Sequence, residues 1–185
     1  MGRWEADAQG RLRQAALELF TERGYEQTTV AEIAERAGVT ERTFFRYFAD
    51  KREVLFDRSN ALQNAVVSSI EAADPPQSPL EAVVEALASA GELLEGGRDS
   101  SRLRTAAIAA TPSLQERELL KLFTLAAAAA DALHAKGVPD PTARLAAESG
   151  VSIFRVGFER WIADDADETL ARSIRAVFAE LKALT

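Results

Sequence analysis

Apolar residues in this chain recur three and four positions apart almost from end to end, and two-residue alternation is nearly absent. A 3.6-residue period lines one face of a helix, whereas a half-buried strand needs alternation, so the pattern predicts an all-α fold. Capping chemistry divides the pattern into segments. A hydroxyl or carboxylate at the N-cap accepts an orphan backbone N–H, and a Glu three residues on reaches back to the cap. Thr29–Glu32, Asp50–Glu53, Ser78–Glu81 and Asp165–Glu168 carry that signature, and Thr111-Pro112 and Asp140-Pro141 add starts with proline at the first helical position. Gly24, Gly38, Gly96-Gly97 and Gly137 mark stops. About nine helices follow, at roughly 7–23, 30–37, 41–47, 51–73, 79–95, 99–110, 112–136, 141–163 and 166–184. The first three are short and the rest long, which predicts a small module over residues 1–50 and a larger helical body over 51–185.

Composition removes whole classes of chemistry. Zero cysteines exclude disulfides and thiolate metal sites, and a single histidine leaves almost nothing for imidazole catalysis. No catalytic residue, metal or cofactor is therefore expected, and the protein is expected not to be an enzyme. The N-terminal residues lack the apolar core of a signal peptide, and the longest strongly apolar run, Leu122 to Ala130, falls short of the ~20 residues that cross a bilayer. A cytoplasmic protein without membrane contact is expected.

The module carries the more specific signal. Helices 30–37 and 41–47 flank Gly38-Val39-Thr40, a turn of the length and chemistry of a helix-turn-helix. Val30, Ile33, Ala34, Ala37, Val39, Phe44 and Phe48 supply a core with Leu12, Ala16, Leu19 and Phe20, leaving a hydroxylated, basic surface on the second helix. Such a surface suits the major groove, where Arg bridges guanine edges and Thr reaches a base or a methyl group. The net charge of −7 opposes DNA binding in bulk, but residues 1–58 hold ten basic against eleven acidic residues, and Arg42 to Arg58 hold five against three. With screening over roughly 8 Å, carboxylates of the body weaken a local basic edge without cancelling it. Helix N-termini at Thr29 and Lys51 are expected to add backbone donors for phosphate.

Residues 12–55 resemble the tetracycline-repressor (TetR) family of bacterial transcription regulators, above all in Thr28-Thr29-Val30-Ala31-Glu32-Ile33-Ala34, Ala37-Gly38-Val39-Thr40 and the run from Thr43 to Leu55. The resemblance implies a homodimer that binds double-stranded DNA at a palindromic operator, usually as a repressor released by a small-molecule effector. It also implies phosphate contacts from Thr28 or Thr29, Tyr47 and Lys51, and groove contacts from Thr40, Glu41, Arg42, Thr43 and Arg46. Phe45 stands where the family often has a phosphate-bonding tyrosine, so that contact is expected to be lost. Arg42 replaces a small residue and adds a guanidinium to the groove.

In the body, Ala143, Gly150 and Gly157 recur every seven residues beside Ala147 and Phe154, a narrow strip that another helix can approach closely. The final helix offers Leu170, Ile174, Val177, Phe178 and Leu181. By resemblance these two helices form the dimer interface, placing two recognition helices ~34–36 Å apart; packing within one chain is the alternative. Large residues on the surrounding helices, Leu87, Leu103, Ile108, Phe123, Phe154, Phe158 and Trp161, with Arg104 the nearest unusual polar group, are candidates for an effector pocket with a mostly apolar ligand. His134 is expected to close a helix end. Two other classes compete: a helical enzyme or small-molecule carrier whose first helices are only structural, for which no nucleophile-base or Glu-x-x-His pattern is present, and an architectural DNA-binding protein, which calls for a more basic surface.

Overall fold

The computed structural model describes residues 3–73, 78–95, 97–163 and 168–184. They form α1 (Arg3–Arg23), α2 (Val30–Arg36), α3 (Glu41–Tyr47), a 3-10 turn (Arg52–Leu55), α4 (Ser59–Ala72), α5 (Pro79–Ala90), the single turn α6 (Glu92–Glu95), α7 (Arg98–Ala109), α8 (Pro112–Ala135), α9 (Asp140–Ala163) and α10 (Leu170–Leu184). The fold is all-α, with no strand among the described residues, and none of their helices is long and apolar enough to cross a membrane.

Several boundaries depart from the sequence pattern, beginning with α1, which starts at Arg3 and not at residue 7. Asp50 caps as expected, its Oδ1 accepting from the N–H groups of Arg52 (2.8 Å) and Glu53 (3.1 Å), but what it caps is the 3-10 turn, and α4 starts only at Ser59. Val54, Leu55 and Phe56 are all buried. Three consecutive side chains sweep about 200° around an α-helix, too wide for one buried face, so the chain turns more tightly there. The helix expected over 79–95 breaks at Gly91, where a Cβ would stand 3.1 Å from the Ala88 carbonyl and 3.2 Å from the Leu170 side chain. The proposed cap at Asp165 lies outside the described residues. α10 begins after Thr169, whose Oγ1 accepts from Arg172 N–H at 3.2 Å.

The chain divides into two compact units, Met1–Arg58 with Asp99–Glu118, and Ser59–Arg98 with Leu119–Thr185. A cut at residue 50 omits part of the first core: Val54, Leu55 and Phe56 pack there with Leu12, Leu19, Ile33, Phe44 and Phe48, as do Ile108 of α7 and Leu114 of α8. Arg104 reinforces this packing, donating from Nε to the Leu55 carbonyl (2.7 Å) and from Nη1 to Glu118 (2.9 Å), while Arg117 Nε donates to Glu53 (2.8 Å). The second core joins α4, α5, α9, α10 and the later part of α8 around Val66, Val83, Leu87, Leu133, Phe154 and Trp161.

In the first unit, Tyr25 lies edge-on to Phe20 with ring centroids 5.1 Å apart, and burial pushes its phenol up to about 12. A raised folded-state value holds stability in full below the ordinary value of 10 and loses it as pH climbs through 12. Lys51, beside it, has the opposite sign: burial lowers its ammonium from 10.5, so its gain with pH is complete once that value is passed. Urea melts are therefore expected to show a fall in stability between about pH 10.5 and pH 12 that Tyr25→Phe reduces. An identical fall in both proteins contradicts the assignment.

Candidate functional site

The second helix of the motif is held by its own ends. At Gly38 the chain reverses with φ of 68°, a left-handed conformation that side chains resist, and the Gly38 and Val39 N–H groups close onto the carbonyls of Glu35 and Ala34. Thr40 then caps α3, its Oγ1 accepting from Thr43 N–H at 3.2 Å and lying 3.0 Å from the Thr43 hydroxyl. Phe44 and Phe48 anchor the helix in the first core with ring centroids 5.1 Å apart.

The helical step of about 100° per residue decides what remains outside. With Phe44 pointing to the core, Arg42 and Arg46 project away from it, and Thr43 and Phe45 take the two flanks. Thr40, Arg42, Thr43, Phe45 and Arg46 line one shallow cleft. Arg42, Phe45 and Arg46 are exposed, Glu41 stands beside them in solvent, and Tyr47 is half-buried. Arg46 donates to the Tyr47 hydroxyl at 3.0 Å and lies 4.9 Å from its ring centre, a contact that holds both side chains over the last turn. No described residue bonds the Arg42 guanidinium.

Nearby cations are engaged by carboxylates. Arg36 bonds Glu22 through both terminal nitrogens at 2.9 Å, Arg23 pairs with Glu32 at 2.6 Å, and Arg52 with Asp50 at 2.8 Å. The Arg52 hydrogen bond holds the Asp50 carboxyl below its ordinary range against the opposing effect of burial. Arg42 and Arg46 of α3 stand exposed beyond these pairs.

The structure sorts the expected phosphate contacts, separating Thr28 from Thr29 and leaving Lys51 with a single donor. Thr28 is 1% exposed, and its hydroxyl donates to the Gly24 carbonyl at 2.9 Å, leaving no surface for DNA. Lys51 spends two of its three donors on the carbonyls of Tyr25 (2.7 Å) and Thr28 (2.8 Å), with its Nζ 4.1 Å from the Tyr25 ring centre. It fastens the loop before α2 to the segment after α3. The backbone donors that follow it are consumed by Asp50. Thr29 stays exposed at the head of α2, in a reciprocal capping box with Glu32. Phe45, expected only as a lost phosphate contact, is 54% exposed. One helical step from a buried Phe44 was the available signal.

A family model described as bacterial regulatory proteins, tetR family, matches residues 12–57, and one described as MftR C-terminal domain matches residues 77–184, more than half of the chain. This chain belongs to the TetR family. It is a DNA-binding transcriptional regulator. The HTH-type transcriptional regulator TcmR of Streptomyces glaucescens is 46% identical over 68 residues, covering 37% of this chain and 30% of that protein. The fatty acid metabolism regulator protein of Bacillus subtilis (strain 168) is 44% identical over 41 residues, 22% of this chain and 21% of that protein. The matched stretch is therefore about a third or less of either relative. A solved TetR-family regulator from Syntrophomonas wolfei superposes with a TM-score of 0.67 at 21% identity, covering 97% of this chain and 95% of that one. FadR from Bacillus subtilis, solved in complex with stearoyl-CoA, superposes at 0.61 and 21% identity over 93% and 96%. Both likenesses are of fold.

The C-terminal region of this TetR-family chain redistributes the remaining candidates. Ala143, Ala147, Gly150 and Gly157 face the chain's own core. A Cβ at Gly150 would stand 2.4 Å from Val83 Cγ1 of α5, and one at Gly157 would stand 2.9 Å from the Ile174 Cα of α10. The Ser173 hydroxyl, itself buried, donates to the Gly157 carbonyl at 2.8 Å. Leu170 and Ile174 are fully buried, and Val177 and Phe154 nearly so. A side chain without exposure in its own chain has none to offer a second copy, so the small strip is an intramolecular packing seam. Phe178 and Leu181 are half-buried, while Leu145 and Val156 of α9 and Leu184 of α10 stand exposed.

The pocket candidates separate likewise. Leu103, Arg104 and Ile108 belong to the first unit, where Arg104 also lies 5.0 Å from the Phe56 ring centre and is committed to Leu55 and Glu118. Leu87, Phe154, Phe158 and Trp161 belong to the second, the last three forming a chain of rings with centroids 6.1 and 5.7 Å apart. Phe123 is 70% exposed. His134 Nδ1 lies 3.2 Å from the Val138 carbonyl, at the close of α8.

Proposed function

We infer that this regulator works as a homodimeric repressor, holding a palindromic operator in the cytoplasm until a small, mostly apolar effector releases it. The observation that carries this reading is the pairing of an anchored α3 with outward, carboxylate-free guanidinium at Arg42. Thr40, Glu41, Arg42, Thr43 and Arg46 are assigned to base edges, and Thr29 and Tyr47 to phosphates; Lys51 keeps one ammonium donor for the same purpose. Bases supply sequence discrimination and phosphates supply position. The N-terminal helices are assigned to DNA, and the C-terminal region to the effector and the second copy.

The dimer reading is supported by the apolar groups the second unit leaves in solvent, Leu145 at 68% and Leu184 at 82% exposure, together with Val156 and the half-buried Phe178 and Leu181. The effector reading is supported by the aromatic chain Phe154–Phe158–Trp161 and by the acyl-CoA complexes of the FadR proteins from Bacillus subtilis and Thermus thermophilus, the latter described as a repressor bound to lauroyl-CoA. One set of measurements tests all three parts. Sedimentation at micromolar concentration is expected to give twice the 20.0 kDa chain mass. A duplex enriched by the protein from a random pool is expected to carry an inverted repeat, and stearoyl-CoA to dissociate the complex. A stable monomer, an asymmetric site, or release only by polar metabolites overturns the corresponding part.

A further inference from the structure

Phe45 has no role in the contacts assigned above, yet it stands on the flank of α3 beside Arg42 and lines the same cleft as Arg42 and Arg46. Its ring is 54% exposed and packs in a T-shaped arrangement with Phe44, at a centroid distance of 5.5 Å and an interplanar angle of 81°. A phenyl ring has no hydrogen bond to give to a phosphate or a base edge. The one apolar group that the major groove displays is the C5-methyl of a pyrimidine, carried by thymine. Arg42, three residues earlier, lies about 60° from Phe45 around the helix and one turn back along it, so the two side chains form a neighbouring cationic and apolar pair.

The geometry points to Phe45 as a specificity-determining residue that reads a thymine methyl, next to the base pair contacted by Arg42. This rests on the assignment of α3 to the major groove. Covering a methyl removes apolar surface from both partners, which is worth about fourfold in affinity for one methyl group. Guanidinium and ring together select a guanine adjacent to a thymine, and the hydroxyl missing from Phe45 becomes a gain in sequence reading where a phosphate contact is lost.

The test uses the full chain and the duplex it enriches from a random pool, with each thymine of one half-site replaced singly by deoxyuridine, which lacks only the methyl. Wild-type protein is expected to lose about fourfold in affinity at one such position. Phe45→Ala is expected to bind the thymine duplex several-fold more weakly and to show no difference between thymine and uracil there, with an unchanged helical melting curve. Phe45→Leu, which keeps an apolar side chain, is expected to retain part of the difference. Indifference of the wild-type protein to every uracil, or an undiminished uracil effect in Phe45→Ala, overturns the inference. So does tighter binding on placing 5-methylcytosine at a cytosine of the half-site with no thymine effect, since the methyl is then carried by the other pyrimidine. Failure to enrich any duplex overturns instead the assignment of α3 to DNA.

Discussion

Phe44→Ala is expected to cost about 3–5 kcal/mol of stability in the first unit, and to abolish DNA binding without touching a base. Phe44 has no exposed surface and contacts the rings of both Phe45 and Phe48, so its removal leaves a cavity under the middle of a seven-residue helix. A helix that short has almost no stability of its own and stays formed only because its anchors are packed. Chemical denaturation of the variant should show an early transition for the first unit, and its affinity for the enriched duplex and for random DNA should fall together. A variant that kept its melting profile and lost only operator affinity would place Phe44 at the DNA surface, contrary to the fold.

Gly150→Ala should be nearly as damaging, through excess rather than lack of volume. The added methyl would overlap Val83 Cγ1 at 2.4 Å, and Val83 is fully buried, so α5 and α9 must separate or Val83 must leave its rotamer. Overpacking of this kind costs about 1–3 kcal/mol. Val83→Ala in the same chain removes the obstructing methyl groups and is expected to recover a large part of the loss, giving a coupling energy of about 1 kcal/mol or more in a double-mutant cycle. Additive losses would mean that the two residues do not meet. A change in dimer mass with unchanged chain stability would return Gly150 to a subunit interface.

What the sequence disclosed about this fold was local. The caps at Thr29 and Ser78 depend on residues within one turn, and the structure has them where the spacing put them. The anchoring of α3 through Phe44 and Phe48 followed from the helical period for the same reason. Features set by distant residues were not accessible. Lys51 is a charge in the sequence, but its carbonyl partners Tyr25 and Thr28 lie 26 and 23 positions earlier. The 3-10 turn at Arg52 exists because Val54, Leu55 and Phe56 must all enter one core, and the placement of Ile108 and Leu114 in that core has no local signature. The glycine and alanine strip of α9 shows why a correct pattern can still mislead. Small residues mark a close approach between helices, and that requirement is the same whether the approaching helix comes from the same chain or from another.

We assign base reading by α3 to its outward Arg42 guanidinium. This role is tested most directly by the affinities of wild-type protein and Arg42→Ala, at one fixed salt concentration, for the enriched duplex and for a random duplex of equal length. A bidentate contact to guanine is worth about 1–3 kcal/mol, roughly fivefold to 150-fold for each copy of the chain that engages a half-site, so the variant should lose at least that on the enriched duplex and little on random DNA. Equal losses on the two duplexes, or no loss on either, would place Arg42 away from the base edges.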